Sequence, residues 1–318
     1  MRYRIGIDSG GTFTDVMVAG EDGRIYSLKI PSTPRDPSLS FLEGIRRALE
    51  ELEAGPEQVA AVLHGTTVAT NALLESKFPP IGLVVTRGFR EILEIARQTV
   101  PGEWGSIYVW VKPPRVVPLE RVQEVAERVG PRGEIQVPLN EVEMRAVARW
   151  FKERGIEAVA ISFLHSYINP AHELRARQIL EEEHPEGHLS TSWETLPEFR
   201  EYERTLTTCL NAALKPVLSR YLSGLSSKMA RLGVRSPLQI MKSAGGVMDA
   251  DRAIVQPVYT VLSGPSAAVL GMASLGRQAG YPDLITLDMG GTSTDVSMIE
   301  RGRPLVSTLG EVDIYPIK

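Results

Sequence analysis

The stretch IGIDSGGTFTDVMV, residues 5–18, recurs as ITLDMGGTSTDVSM at residues 285–298. The offset is a constant 280: Asp8, Gly10, Gly11, Thr12, Thr14, Asp15 and Val16 match Asp288, Gly290, Gly291, Thr292, Thr294, Asp295 and Val296. In each copy an apolar strand delivers an aspartate to a sheet edge. Two glycines follow, which admit positive φ and let backbone N–H groups approach an anion with no Cβ in the way. The threonines add hydroxyl donors. The aspartate repels phosphate, so it suits a magnesium ion or an ordered water instead. Two such hairpins facing each other would grip a polyphosphate from both sides, with two carboxylates around one metal. A single Asp-x-Gly-Gly-Thr reads equally well as a tight turn. Its recurrence with matching threonines and trailing aspartates favours the phosphate reading. Neither copy is a Walker loop or a Gly-x-Gly-x-x-Gly dinucleotide fingerprint.

Outward from the first copy, Tyr3 to Asp8 and Arg24 to Ile30 read as strands. Asp36-Pro37 opens a helix whose Leu42, Ile45, Leu49 and Leu52 keep helical spacing until Gly55. Val59 to Leu63 and Ile81 to Val85 are short buried strands, followed by helices over Val68 to Ser76 and Phe89 to Arg97. Residues 99–119, with six prolines and glycines, predict an irregular loop. A half-exposed strand over Glu124 to Val129, a helix over Asn140 to Arg154 and a buried strand over Ala158 to Leu164 come next. Asn169-Pro170 then starts another helix. Residues 198–232 form a long helical stretch that Pro216 should kink or break. The strand Leu238 to Lys242, a helix from Ser263-Gly264-Pro265 to Ala279 and the strand Leu284 to Leu287 complete the pattern. Such alternation predicts an α/β fold with parallel or mixed sheets. A boundary near residue 190 divides it into domains 1–190 and 191–318.

The 318 residues are 43% hydrophobic and 23% charged, with a net charge of −4. That balance argues against a nucleic-acid or anionic-membrane binder, which needs a basic surface. It suits chemistry on a small molecule. One cysteine, Cys209, allows no internal disulfide and no cysteine zinc cluster, and reads as a reducing, cytoplasmic setting. The N-terminus runs directly into a strand pattern without the apolar region of a signal peptide. No run of about 18 apolar residues predicts a membrane helix.

Several strings together resemble the hydantoinase A and 5-oxoprolinase family of the actin and sugar-kinase ATPase superfamily. They are GIDSGGTFTDVMV, HGTTVATNALLE, VTRGFREILEIARQ, ISFLHSYINPAHE, ERTLTTCLNAALKPVLSRYL, SAGGVMDA, LSGPSAAVLG and LDMGGTSTDVSM, in family order across nearly the whole chain. The resemblance implies an actin-like, ribonuclease H-like fold, with ATP and Mg²⁺ as cofactors. It also implies a hydantoinase B-type partner subunit and a cyclic amide or ketone substrate. Cyclic amides such as hydantoin, 5-oxoproline or lactams would be phosphorylated on oxygen and opened; ketones of the acetone or acetophenone type would be carboxylated. A non-catalytic ATP-gated module and a small-molecule kinase are the competing classes. Only 23 residues follow Asp295, so the resemblance implies a second lobe left incomplete, a truncated chain and an ATP site inactive in isolation.

Carried over residue by residue, Asp8 and Asp288 are the magnesium-positioning candidates. Gly10, Gly11, Thr12 and Thr14, with Gly290, Gly291, Thr292 and Thr294, are the phosphate contacts. Asp15 and Asp295 either orient a catalytic water or pin their own hairpins. His64, where a strand ends in Gly-Thr-Thr, reads as a substrate or acid–base group facing a cleft, or as a structural histidine. Ser263 and Gly264 open a helix whose N–H groups hold an anion, or merely cap it. His165 and His172 could share a metal, though capping or packing fits them better. Lys29 and Arg97 read mainly as solvated. Trp104, Tyr108 and Trp110 could shape an aromatic substrate pocket, and serve equally as core or interface.

Overall fold

The computed structural model describes residues 1–33, 35–97, 115–289, 294–306, 310–312 and 315–317. The Trp104, Tyr108 and Trp110 cluster lies outside the described residues, as do Gly290, Gly291 and Thr292 of the second hairpin. In chain order the first elements are β1 (Tyr3–Ser9), β2 (Phe13–Gly20), β3 (Ile25–Pro31), α1 (Pro37–Glu51), β4 (Val59–Thr66) and α2 (Val68–Leu74). Next come β5 (Ile81–Thr86), α3 (Ile92–Ile95), β6 (Val122–Val125), β7 (Arg128–Val129), β8 (Ile135–Val137), α4 (Glu141–Glu153), β9 (Ala158–Ser162) and α5 (Ala171–Glu183). They are followed by β10 (His188–Thr191), α6 (Ser192–Thr195), α7 (Glu201–Arg231), β11 (Leu238–Met241), β12 (Val247–Asp249) and α8 (Ala250–Val255). The last helix and strands are α9 (Ser263–Ala279), β13 (Leu284–Met289), β14 (Thr294–Glu300), β15 (Arg303–Pro304), β16 (Gly310–Val312) and β17 (Tyr315–Ile317).

Two compact units emerge, Met1–Asn71 with Val217–Ser307, and Ala72–Pro216 with Thr308–Lys318. Each unit takes residues from both sides of position 190. One sheet of order β12-β11-β4-β1-β2-β3 takes strands from both ends of the chain, because β11 pairs parallel to β4. Strand β1 pairs antiparallel to β2 and parallel to β4. Its period-2 pattern buries Tyr3, Ile5, Ile7 and Ser9 and turns Arg4 and Asp8 outward. Helix α1 covers the β1–β3 face with Phe41, Ile45 and Ala48, capped by the Asp36 side chain accepting from Ser38 N. It can approach closely because position 44 is glycine; a Cβ there would come within 2.7 Å of Val16 Cγ2.

The second unit holds a sheet of order β10-β9-β5-β6, parallel throughout. Continuous apolar runs such as Ile81–Val85 and Ala158–Ile161 fit a sheet covered on both faces. Met144, Val147 and Phe151 of α4 and Ala176, Ile179 and Leu180 of α5 pack with Val84, Val159 and Ile161 into one core. Gly82 makes room for Phe151, whose Cε1 would lie 2.3 Å from a Cβ there.

Three local expectations change. The helix expected over Phe89 to Arg97 contracts to Ile92–Ile95, and the strand over Glu124 to Val129 splits into β6 and β7. Pro216 lies inside α7 without ending it. An interior proline costs about 3 kcal/mol, but buried Cys209, Leu210, Ala212, Ala213, Leu214, Leu218, Leu222 and Leu225 flank it on both sides. Burial of that many side chains, at about 1.5–3 kcal/mol for each large aliphatic one, outweighs the proline.

Candidate functional site

The repeated sequence folds as a repeated hairpin. In β1–β2, Asp8 pairs with Asp15 and Ser9 with Thr14; in β13–β14, Asp288 pairs with Asp295 and Met289 with Thr294. The register is the same in both copies. The first turn closes with Gly10 N donating to Phe13 O at 3.1 Å. Both hairpins belong to the first compact unit.

The Asp8 carboxylate stands where three backbone segments converge. A Cβ on Gly65, at the end of β4, would lie 3.0 Å from Asp8 Oδ1, and one on Gly264, in the first turn of α9, 3.6 Å. Glycine at both positions leaves the carboxylate its space. Although Asp8 keeps solvent access, protein surrounds enough of it for burial to raise its pKa. The carboxylates of Asp15 and Asp288 push it further in the same direction. The Asp288 carboxylate is thus near enough to Asp8 to oppose its ionisation. Among the described residues no three His, Cys, Asp or Glu side chains form a metal cage. Magnesium is ordinarily held by one or two carboxylates plus phosphates and waters. Asp8 and Asp288 are the residues able to supply those carboxylates.

The other predicted residues fall in different places. Thr14 turns inward, fully buried, and bonds Ser32 Oγ at 2.9 Å and Ser40 Oγ at 3.0 Å. It braces the hairpin rather than facing the loop. Its copy Thr294 is exposed, and Thr12 and Gly11 are also open to solvent. Asp15 pairs with Lys29 Nζ at 2.7 Å, across the β2–β3 register Asp15↔Lys29; Lys29 is therefore more than a solvated charge. Arg97 likewise grips Glu203 through two bonds of 2.8 and 2.6 Å.

His64 faces no cleft. It is fully buried, with Nδ1 3.1 Å from Ile7 O, Nε2 2.8 Å from the Tyr221 hydroxyl and the Phe41 ring edge-on at 4.8 Å. A carbonyl only accepts, so Nδ1 carries the proton and Nε2 accepts from Tyr221. Burial lowers the His64 pKa to about 4, so the ring is neutral at pH 7. It ties β4 to β1 and α7 and is not an acid–base candidate. Ser263 is also buried, its hydroxyl 3.3 Å from Thr66 O. The α9 entry is set by Leu262 in the left-handed region, whose N–H donates to Thr70 Oγ1 at 3.0 Å. His172 pairs with buried Glu127 at 2.7 Å instead of joining His165 at a metal. Tyr221, Phe41 and Gly65 escaped sequence reasoning; a glycine directly after a strand-borne histidine was the available signal for the last.

The two copies differ in one respect. Ile5, Ile7, Val16 and Val18 are buried under α1, whereas their copies Ile285, Leu287, Val296 and Met298 are 73%, 64%, 61% and 56% exposed.

A sheet of this order carrying one Asp-x-Gly-Gly-Thr hairpin, with a second hairpin in the same register, defines a mixed α/β fold. Within that class the chain belongs to the hydantoinase/oxoprolinase family. Residues 4–184 match the profile of the hydantoinase/oxoprolinase N-terminal region, and residues 204–318 that of hydantoinase/oxoprolinase. The chain is similar to the caprolactamase subunit alpha of Pseudomonas jessenii, at 35% identity over 95% of this chain and 44% of that protein. The crystal structure of that ATP-dependent caprolactamase superposes with a TM-score of 0.81, covering 93% of this chain and 43% of that one. A nucleotide-free structure of acetone carboxylase, an enzyme of ATP-dependent acetone carboxylation, superposes with a TM-score of 0.84. That match has 30% identity and covers 94% of this chain and 44% of that one. 5-Oxoprolinase 1 of Arabidopsis thaliana is 34% identical over 93% of this chain and 25% of its own length. The chain thus spans less than half the length of these relatives. Among the described residues no helix is long and apolar enough to cross a membrane.

Proposed function

We propose that this chain is the phosphate-gripping part of an ATP-dependent, cytoplasmic enzyme subunit that activates the carbonyl oxygen of a cyclic amide. The observation that carries this reading is the pair of register-matched hairpins, the charge of Asp288 being among those that raise the pKa of Asp8. An unstrained amide is resonance-stabilised, so water opens it slowly until its oxygen is turned into a leaving group. In the proposed sequence the γ-phosphoryl passes from ATP to the amide oxygen and ADP departs. Water then adds at the activated carbon, the C–N bond breaks to open the ring as an acyl phosphate and free amine, and a second water releases phosphate to leave the carboxylate. Magnesium supplies charge neutralisation of the phosphates when bound. Gly11 and Thr12 of the first hairpin offer N–H and hydroxyl donors to the phosphates, Gly10 closing the turn through its own N–H; by sequence, Gly290, Gly291, Thr292 and Thr294 are the matching donors of the second copy. Asp8 and Asp288 position the cation, and Gly264 opens the α9 turn beside Asp8. The later steps are assigned to a hydantoinase B-type partner subunit; the named relatives include one called subunit alpha.

A ketone substrate is the second reading, favoured by the TM-score of 0.84 to acetone carboxylase. The test is ATP turnover by the subunit with its partner against a panel of lactams, hydantoins, 5-oxoproline and ketones. Turnover that depends on a cyclic amide, and that Asp8→Asn abolishes, is expected. Ketone-dependent consumption of bicarbonate selects the second reading. Turnover indifferent to every substrate refutes both. By itself the chain is expected to turn ATP over slowly if at all, since the second hairpin presents its apolar face uncovered.

A further inference from the structure

Among the described residues no hydrogen bond fixes the Asp8 carboxylate; burial and the charges of Asp15 and Asp288 are what act on it. Its direction is left to the two walls beside it, Gly65 and Gly264. The walls differ in how they are held. Gly65 lies in β4, between β1 and β11 in the sheet, and backbone pairing fixes its register with Asp8. Gly264 lies in the first turn of α9, which has no such ladder.

Helix α9 does not secure its own start. Leu262, at its N-cap position, supplies no side-chain cap, and Pro265 in the first turn has no N–H. Leu262 also sits at φ 58°, a left-handed conformation that strains a residue with a Cβ. Such a conformation persists only where the surroundings over-determine it. Three side-chain bonds do so, each to a different part of the unit. The Thr70 hydroxyl of α2 accepts the Leu262 N–H at 3.0 Å. Ser263 Oγ donates to Thr66 O, at the end of β4, at 3.3 Å. Ser266 Oγ donates to Ser243 O in the turn after β11, and lies 3.1 Å from Leu262 O as well. Anchors thus stand on both sides of Gly264. Of the three, Thr70 is the one that holds the main chain of the strained residue, and it does so from a buried position.

We propose that Thr70 is a positioning residue of the magnesium–phosphate site: through the Leu262 N–H it holds the first turn of α9 so that Gly264 keeps the Asp8 carboxylate turned to the cation. The inference rests on the role proposed above for Asp8. Removing the acceptor leaves a strained residue with an unpaired N–H, so the turn relaxes and the carboxylate loses one wall. The metal-dependent part of nucleotide binding suffers, since Gly11 and Thr12, the phosphate donors of the first hairpin, are no part of this clamp.

The test compares Thr70→Val, which keeps the shape and removes the acceptor, with Thr70→Ser, which restores it. ATP is titrated calorimetrically into the chain with magnesium and with EDTA, and amide hydrogen exchange is followed at the start of α9. For the loss of one hydrogen bond, Leu262 N–H in Thr70→Val should exchange about tenfold faster and magnesium–ATP should bind about fivefold or more weakly. Metal-free ATP binding should not change, and Thr70→Ser should match wild type in every measurement. If Thr70→Val does not fold, Ser266→Ala carries the test, with a smaller loss in the same direction. Unchanged exchange at Leu262 overturns the clamp. Faster exchange with full magnesium–ATP affinity, or a loss equal with and without magnesium, overturns its role at Asp8 while the phosphate reading stands. A wild-type chain that binds no ATP fails the phosphate reading itself and takes this inference with it.

Discussion

Ile7 and Leu287 occupy the same place in two copies of one hairpin, yet their truncation to alanine should differ sharply. Ile7 is 3% exposed and sits opposite Val16 beneath α1; Leu287 is 64% exposed opposite Val296. Each truncation removes three carbons, worth about 0.8 kcal/mol apiece when fully buried. For Ile7→Ala the transfer loss is about 2.4 kcal/mol, and a residual cavity takes the total into the range of about 2–5 kcal/mol. For Leu287→Ala only about a third of the side chain leaves a covered site and no cavity forms, so the loss stays below about 1 kcal/mol. With a urea slope of about 3 kcal/mol per molar, Ile7→Ala lowers the midpoint of the first unit's transition by about 1 M. Leu287→Ala lowers it by no more than about 0.3 M on the same slope. Fluorescence and circular dichroism followed through the urea titration read both shifts. Equal shifts for the two variants would refute the reasoning, since the sequence copies would then share an environment that the structure denies them.

His64 is held neutral in the fold with a pKa of about 4, below its ordinary value near 6.5 in an unfolded chain. Its contribution is therefore fully present above about pH 6.5 and is lost as pH falls toward 4, by roughly 3 kcal/mol for a shift of this size. Urea midpoints from pH 7.5 to 4 should fall more steeply for wild type than for His64→Gln; parallel profiles would show that the imidazole is not what titrates. Gly65→Ala places a methyl 3.0 Å from Asp8 Oδ1. Nucleotide affinity in the presence of magnesium should drop by about tenfold or more while stability changes by less than about 1 kcal/mol. Unchanged affinity would separate Asp8 from the nucleotide site.

The hairpins were legible because their determinants are local: alternation writes the strands, and glycine after aspartate writes the turn. The inward course of Thr14 was legible by the same rule and was missed. It shares a face with Val16 and Val18, two and four residues on, so the period of 2 already buries it. The burial of His64 was not legible, since it depends on Tyr221, 157 residues away, and on Phe41. A strand-end histidine before Gly-Thr-Thr looks the same in sequence whether a cleft or a helix lies above it. The continuity of α7 through Pro216 was hidden for a like reason, because packing on both sides overrides a local propensity.

Motif and environment part company between the two hairpins. Register, and with it the aspartate at the strand end, follows from the strand and turn alone, so it repeats faithfully from β1–β2 to β13–β14. What a carboxylate can do there depends on what surrounds it. Asp8 is walled by Gly65 and Gly264 and faces the charges of Asp15 and Asp288, and each of these influences disfavours its ionised form. Lys29 offsets only one of them, since its ammonium lies on Asp15. An aspartate destabilised as an anion gains more than an ordinary one when a cation arrives, because the cation cancels the repulsion that raised its pKa. On the proposed reading, the cost built into the site by these carboxylates becomes selectivity for a polyphosphate that brings its own divalent cation over a bare anion.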